Sequence, residues 1–364
     1  MIADDATAEA IGFVPWAPPG SPAELREPVW PVSTADRTSA ERHVEARLRA
    51  LPDGSPQLTL RTTAGARVVH LGAEPTEVTV ESDARLVRDA VTTVDGTVVA
   101  LEQFGHDRFE ARGTGITPWR HPLPGAGYDS QLLTDAGGRI FVTTRDSLIQ
   151  VDAAAATVVA RLAGGRAVMY PDGRIGFARD RSWVVRDMDT SEETATEIGP
   201  AGRTALREAI GADAAGRIYW RGPGTVARML PDGDLDWLVT LNGIAVSEEH
   251  GVTLGTLAGD VARFDNGGRV RVDASADHMG QLAGRGDDGE YLLYREVRAG
   301  HGQLSSVDSD GRLLRSGPAP DDIWLTRDSA QSPDFSSVTT DGAVLVAVRA
   351  EPGVHIVRLT PVTS

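Results

Sequence analysis

A glycine-bearing turn recurs along this chain, each time between two short strands of alternating polarity. The clearest copies are QLLTDAGGRIFVTTRDSLIQVD (131–152), AVMYPDGRIGFARDRSWVVRDM (167–188), AIGADAAGRIYWRGPGTVARML (209–230) and SSVTTDGAVLVAVRAEPGVHIVRL (336–359). Asp-Gly and Gly-Gly between apolar alternations make hairpin turns, because glycine adopts positive φ without a Cβ clash. Taking the turn glycine as the marker gives Gly54, Gly96, Gly138, Gly173, Gly216, Gly251, Gly289 and Gly342. The spacings run from 35 to 53 residues and average about 41, the length of a four-stranded unit in a radial repeat.

Repeats of that length predict an all-β protein, a closed β-propeller of eight four-stranded blades. Seven is the alternative, if the unit marked by Gly54 lends its strands to a neighbour. Only the last spacing is long, and PAPDDIWLTRDSAQSP (318–333) reads as an insertion there. No window of ten residues sustains a helical period with caps; AEAIGF near the start is too short to count as a helix. The last unit stops after its third strand, so closure needs a strand from the N-terminal extension, residues 1–42, with the propeller itself spanning 43–364. ELREPVWPV (24–32) is the expected closing strand, since Pro28 and Pro31 suit an outer edge where a missing N–H faces solvent.

In repeat style, residues 43–364 resemble the NHL-type and lactonase- or lyase-type propellers, whose blades carry a DG turn followed by a strand such as RIYW or RIFV. The resemblance implies the fold and transfers no catalytic residue. The Trp-Asp dipeptide of WD40 blades is absent, and the kelch pattern is not sustained.

Composition narrows the chemistry. There is no cysteine, which removes thiolate nucleophiles, Cys-ligated zinc and iron–sulfur clusters. All 36 basic residues are arginine, which removes Schiff-base, P-loop and kinase-type lysine chemistry. A net charge of −16 without a basic run argues against nucleic acid and anionic membranes as partners. MIADDATAEA lacks a basic n-region and an apolar stretch, and no apolar run reaches membrane-spanning length, so the expected location is the cytoplasm.

In a propeller the A–B and C–D turns share one face, counting strands outward from the axis. The B–C loops and D–A crossings share the other, where a channel-mouth site is expected. That face holds EQFGHDRF (102–109), WRHPLPGAGYDS (119–130), ASADHMGQ (274–281) and REVRAGHGQL (295–304). The candidate ligand-binding residues are therefore His106, Asp107, His121, Tyr128, Asp129, Asp277, His278 and His301. Imidazole ligates metals and titrates near neutrality, so a divalent metal at the channel mouth is the one cofactor these residues suggest. The competing account is a set of solvated loop side chains. Asp232, Asp234 and Asp236 have the opening spacing of a calcium loop. Trp237 and Gly243 stand where glycine and glutamate are required, which leaves a hairpin turn as the better explanation. Trp119 and Trp324, with Arg120 and Arg327 nearby, suit either a partner's hot spot or packing between blades.

The sequence thus predicts a binding propeller that engages a protein partner or a small ligand at its channel mouth. The alternative is a metal- or His-dependent lyase or hydrolase acting on a small molecule at the same place.

Overall fold

The computed structural model describes residues 6–15, 46–240 apart from short stretches (52, 63–64, 73, 94–95, 116, 128–129, 163–166, 200–207 and 223–224), eight strands between 245 and 318, and residues 336–349 and 353–361. Its strands form eight four-stranded antiparallel sheets, six of which make a β-propeller arrangement. Blade I runs from Ala46–Ala50, its inner strand, to Thr76–Glu81 on the outside. Blade II runs from Leu86–Thr92 to Trp119–Pro122, and blade III from Leu132–Thr134 to Ala156–Arg161. Blade IV runs from Ala167–Met169 to Glu193–Glu197, and blade V from Glu208–Ala212 to Leu235–Thr240. Blade VI comprises Ser336–Val338, Val344–Arg349 and Gly353–Pro361, with Ala6–Pro15 as its outer strand.

Six blades replace the expected eight, or seven. The two further sheets, between 245–275 and 281–318, lie between blades V and VI in sequence but not in contact order. The Ala214 N–H donates to the carbonyl of Thr340 (2.8 Å), and the Tyr219 hydroxyl donates to the carbonyl of Gly342 (2.8 Å), so blade V meets blade VI directly. The first added sheet instead touches blade VI, Ala245–Glu248 beside Val344–Arg349 and Asp260–Asp265 beside Ala6–Pro15. Regular spacing predicts four-stranded sheets; it does not say which sheets share an axis.

The repeated turn is what the sequence implied. Gly54, Gly96, Gly138, Gly173, Gly216 and Gly342 all have φ between 78° and 87°, where a Cβ costs about 1–2 kcal/mol. In each blade the glycine N–H donates to the carbonyl three residues earlier, as from Gly138 to Asp135 and from Gly216 to Asp213 (3.0 Å each). In blades III and V that first residue is a buried aspartate, Asp135 or Asp213. Its carboxylate accepts from the backbone N–H and the Nε–H of Arg139 or Arg217, which fixes the turn from within.

Alternating apolar residues then fill the spaces between blades. Ala66, Val68 and Val80 of blade I pack with Val87, Ala90 and Val98 of blade II, and Leu101 and Phe109 of blade II pack with Val142 and Ile149 of blade III. Phe141 and Leu148 meet Ile175 and Phe177 between blades III and IV. Trp183 and Trp220, edge to face with centroids 4.9 Å apart, anchor the space between blades IV and V. Burying each such large apolar side chain contributes roughly 1.5–3 kcal/mol.

An N-terminal strand does complete the last sheet, but it is Ala6–Pro15, paired antiparallel with Gly353–Pro361. Residues 24–32 lie outside the described residues, and the edge position assigned to them is occupied. AEAIGF, set aside as a short helical stretch, is part of this strand. Val14 and Ile11 join Leu48, Leu58, Val354 and Ile356 in the cluster between blades VI and I, and the Pro15 carbonyl accepts from Nη1 of the buried Arg67 in blade I (3.0 Å).

Candidate functional site

The inner strands bound an axial cavity of about 140 Å³. It is lined by residues 47–51 of blade I, 131–136 around the inner strand of blade III, 167–171 of blade IV, 209–212 of blade V, and Ser337, Val338 and Thr340 of blade VI. It therefore runs along the inner strands, from the crossing side marked by Arg47 and Gln131 to the turn side marked by Leu51, Ala136 and Thr340.

The charged end is built by a strand irregularity. LVRDAV would place Val87, Asp89 and Val91 on one face by simple alternation. A bulge at Arg88 pairs Val87 with Glu102 and Asp89 with Leu101, so Val87 turns to the blade I side and Asp89 to the other. Asp89 is fully buried, and its Oδ2 accepts from Arg47 Nη1 (2.7 Å), Arg49 Nη2 (2.7 Å) and the Leu132 N–H (2.8 Å). One carboxylate thereby ties blades I, II and III together. Arg49 also donates to the carbonyls of Leu132 (2.8 Å) and Ala90 (3.2 Å), and the Gln131 amide donates to the carbonyl of Ala167 in blade IV (3.1 Å). Asp89 Oδ1 and Thr134 Oγ1 are buried without a hydrogen-bond partner among the described residues. The tyrosine at the turn side, Tyr170, is buried; desolvation pushes its phenol up to about 12, against the hydrogen bond it accepts from Trp183 Nε1 (2.8 Å).

Of the residues anticipated from sequence, the described ones, His106, Asp107, His121 and His301, do not line this cavity. His106 and Asp107 are exposed on the turn between Val98–Gln103 and Phe109–Thr114 of blade II. His121 was expected in a channel-mouth loop, but Trp119–Pro122 continues the sheet as its outermost strand, which carries the histidine to the rim. There its Nε2 lies 2.9 Å from the Asp152 carbonyl of blade III, and its ring lies 5.1 Å from that of Trp119. His301 begins the third strand of the second added sheet, outside the six blades. Tyr128, Asp129, Asp277 and His278 lie outside the described residues. Among the described residues no group of three or more His, Asp or Glu side chains is placed to hold a metal.

Other sequence features resolve into structure. Asp232 and Asp234 belong to the blade V turn closed by Gly233, while Asp236 pairs with the buried Arg228 (2.7 Å). Arg120 bridges Asp83 (2.8 Å), Glu102 (3.3 Å) and Glu110 (3.5 Å), and Trp119 packs into the cluster between blades II and III. Arg47, Arg49, Asp89 and Gln131 were not anticipated. Their signal was present: ARLRA and LVRDAV place charges on strands that a propeller sends along its axis.

The architecture defines a six-bladed β-propeller arrangement. Comparison with solved structures finds similarity to virginiamycin B lyase from Staphylococcus aureus at 9% identity, covering 88% of this chain and 96% of that one, with a TM-score of 0.43. The chain is also similar to YCF48 bound to D1 peptide (11% identity, 74% and 93% covered, TM-score 0.38) and to BamB from Moraxella catarrhalis (12%, 83% and 91%, TM-score 0.34). No family model matches the sequence. No curated protein matches it either.

Proposed function

We propose that this protein is a binding propeller that takes a small ligand into its axial cavity and carries out no chemistry on it. The cavity itself supports this reading. Its walls are inner-strand backbone and apolar side chains with a few polar groups among them, the usual composition of a small-molecule seat. The carboxylate at the charged end, Asp89, is fully buried behind Arg47 and Arg49 and does not line the cavity, so it is not within reach of a ligand there.

Ligand-observed NMR with mixtures of small metabolites tests the reading. One-to-one association is expected, with the bound molecule recovered unchanged. Ala136→Trp, at an exposed turn position on the cavity wall, should weaken that association without moving the melting temperature. Conversion of the ligand into product would overturn the proposal, as would binding indifferent to Ala136→Trp.

A further inference from the structure

Resting on that reading, we infer that the axial cavity selects a small neutral amide whose N–H and C=O share one edge: a lactam or cyclic imide of about six to ten non-hydrogen atoms.

Strand pairing fixes what the cavity wall offers. In an antiparallel ladder the N–H and C=O of one residue point to the same side, and successive residues alternate between sides. The residue that opens each glycine turn faces outward. The N–H groups of Leu51, Asp135, Tyr170, Asp213 and Thr339 donate to the carbonyls of Ser55, Arg139, Arg174, Arg217 and Ala343 (2.8–3.2 Å). The residue before each of them is Ala50, Thr134, Met169, Ala212 or Val338, and it therefore turns both of its backbone groups toward the axis. All five line the cavity. Each inner strand ends its sheet, so no ladder takes up these groups. Occupying the same place in their blades, they form a ring at one level.

Two residues nearer the charged end, the same edge is already bonded. The Leu132 N–H donates to Asp89 and its carbonyl accepts from Arg49, while the Ala167 carbonyl accepts from Gln131. Among the described residues one bond reaches the ring itself, from the Ala50 N–H to Ser337 Oγ (2.9 Å). The ring thus offers five carbonyls and, with the Ala50 N–H engaged, four N–H groups. A cation would meet the N–H groups and an anion the carbonyls. A neutral group with one donor beside one acceptor satisfies both. On each ring residue only the Cα separates the N–H from the C=O, so a cis amide meets them in two parallel hydrogen bonds. An open-chain secondary amide is trans and sends its two groups to opposite sides. An engineered cavity of about 150 Å³ holds benzene, so about 140 Å³ admits one six-membered ring.

The test compares δ-valerolactam with cyclohexanone and toluene by titration calorimetry and amide-resolved NMR on the full chain. Cyclohexanone keeps the size and the carbonyl but lacks the N–H, so it leaves a ring carbonyl buried without a donor. The lactam should bind at least tenfold more tightly than either analogue. The amide protons that move furthest on its addition should be among Thr134, Met169, Ala212 and Val338. Equal binding of all three would overturn the amide inference and leave the ligand cavity standing. Binding of none of them would overturn both. A lactam preference that leaves those four amides unmoved would place the amide elsewhere and also defeat the inference.

Discussion

Six sheets and two sheets of this chain share strand number, strand length and pairing, yet only the six share an axis. The six blades carry the same positive-φ glycine in the turn after the inner strand, and each meets the next through named contacts. In the added sheets the corresponding markers behave differently: Gly251 begins a strand, and Gly289 lies outside the described residues. Blade V reaches over this whole region to blade VI, where Tyr219 and Gly342 bond across 123 positions of sequence. A four-stranded sheet is a local product of turns and alternation. Membership of a propeller is decided by the faces between sheets, where apolar side chains must interdigitate.

The sharpest way to break this contrast is to remove one piece from each side of it. Deleting residues 1–15 takes away the outer strand of blade VI and its tie to Arg67, and should abolish cooperative unfolding or leave the chain aggregated. Replacing 241–335 by a crossing as long as that between blades II and III should leave a soluble six-bladed protein. Its melting temperature should stay within about 4 °C of the parent's, the effect of a change of order 1 kcal/mol. Loss of folding in the second case would show that the added sheets are blades after all, and the six-blade arrangement would fall.

Next in size is the axial charge cluster. Replacing Arg47 and Arg49 together with methionine strands Asp89 in a buried site and should cost about 3–5 kcal/mol in denaturant unfolding, with Asp89→Leu added to the pair recovering most of it. Arg315→Met, on the exposed outer strand of the second added sheet, should change stability by less than about 0.5 kcal/mol. A benign double variant would show that the cluster does not bind blades I, II and III together.

Glycines give a smaller, cleaner version of the same test. A Cβ at Gly342 would lie 2.6 Å from the Tyr219 hydroxyl and 2.8 Å from Asp213 Oδ2, at a φ of 87°. Gly342→Ala should therefore cost at least the roughly 1–2 kcal/mol of the backbone conformation. Gly317, in the second added sheet, has nothing within 4 Å of such an atom, and Gly317→Ala should be close to neutral. Equal effects at the two positions would deny that the seam between blades V and VI is tightly packed.

Strands and turns were legible in the sequence because both are local: DAGGR and DAAGR state their own turn, and the alternation on either side states its strands. Blade number was not, because the evidence for it is a contact between Tyr219 and Gly342 that no periodicity encodes. The closing strand was legible in kind and misplaced in position. Two prolines made 24–32 look like an edge, while AEAIGF (8–13), part of the strand that occupies the edge, is too short to count as a helix and gave no strand signal of its own. The site was sought among loop histidines, where polar residues are common for any reason. The informative residues were the charges that contradict their own strands, Arg47, Arg49 and Asp89, and the bulge that aims Asp89 depends on pairing with Glu102 and Leu101 across the sheet.

The smallest expected effect concerns acid, and it distinguishes blade VI from the blades opposite. The hydrogen bond from Thr339 (2.5 Å), followed by the charge of Arg358, holds the carboxyl of Asp341 in the blade VI turn below the usual range. The hydrogen bonds from Arg67, against some desolvation, do the same for Glu77, and Arg67 is the residue that grips Pro15 at the end of the outer strand. A carboxylate whose folded-state pKa is depressed adds stability above its unfolded value of about 4, and loses it as pH falls through the lower folded value. Stability should therefore be flat between pH 7 and 5 with respect to these groups and decline below about pH 4. Glu77 is 37% exposed and Asp341 63%, so solvent screening limits each to under about 1 kcal/mol, less in high salt. Because both groups hold blade VI in place, amide exchange in Val344–Arg349 and Gly353–Pro361 should quicken at pH 3.5 before exchange in Ile140–Thr143 of blade III does. Arg67→Gln should bring part of that quickening to neutral pH. Uniform exchange across both blades at low pH would mean that acid acts on the whole molecule, not on the seams of blade VI.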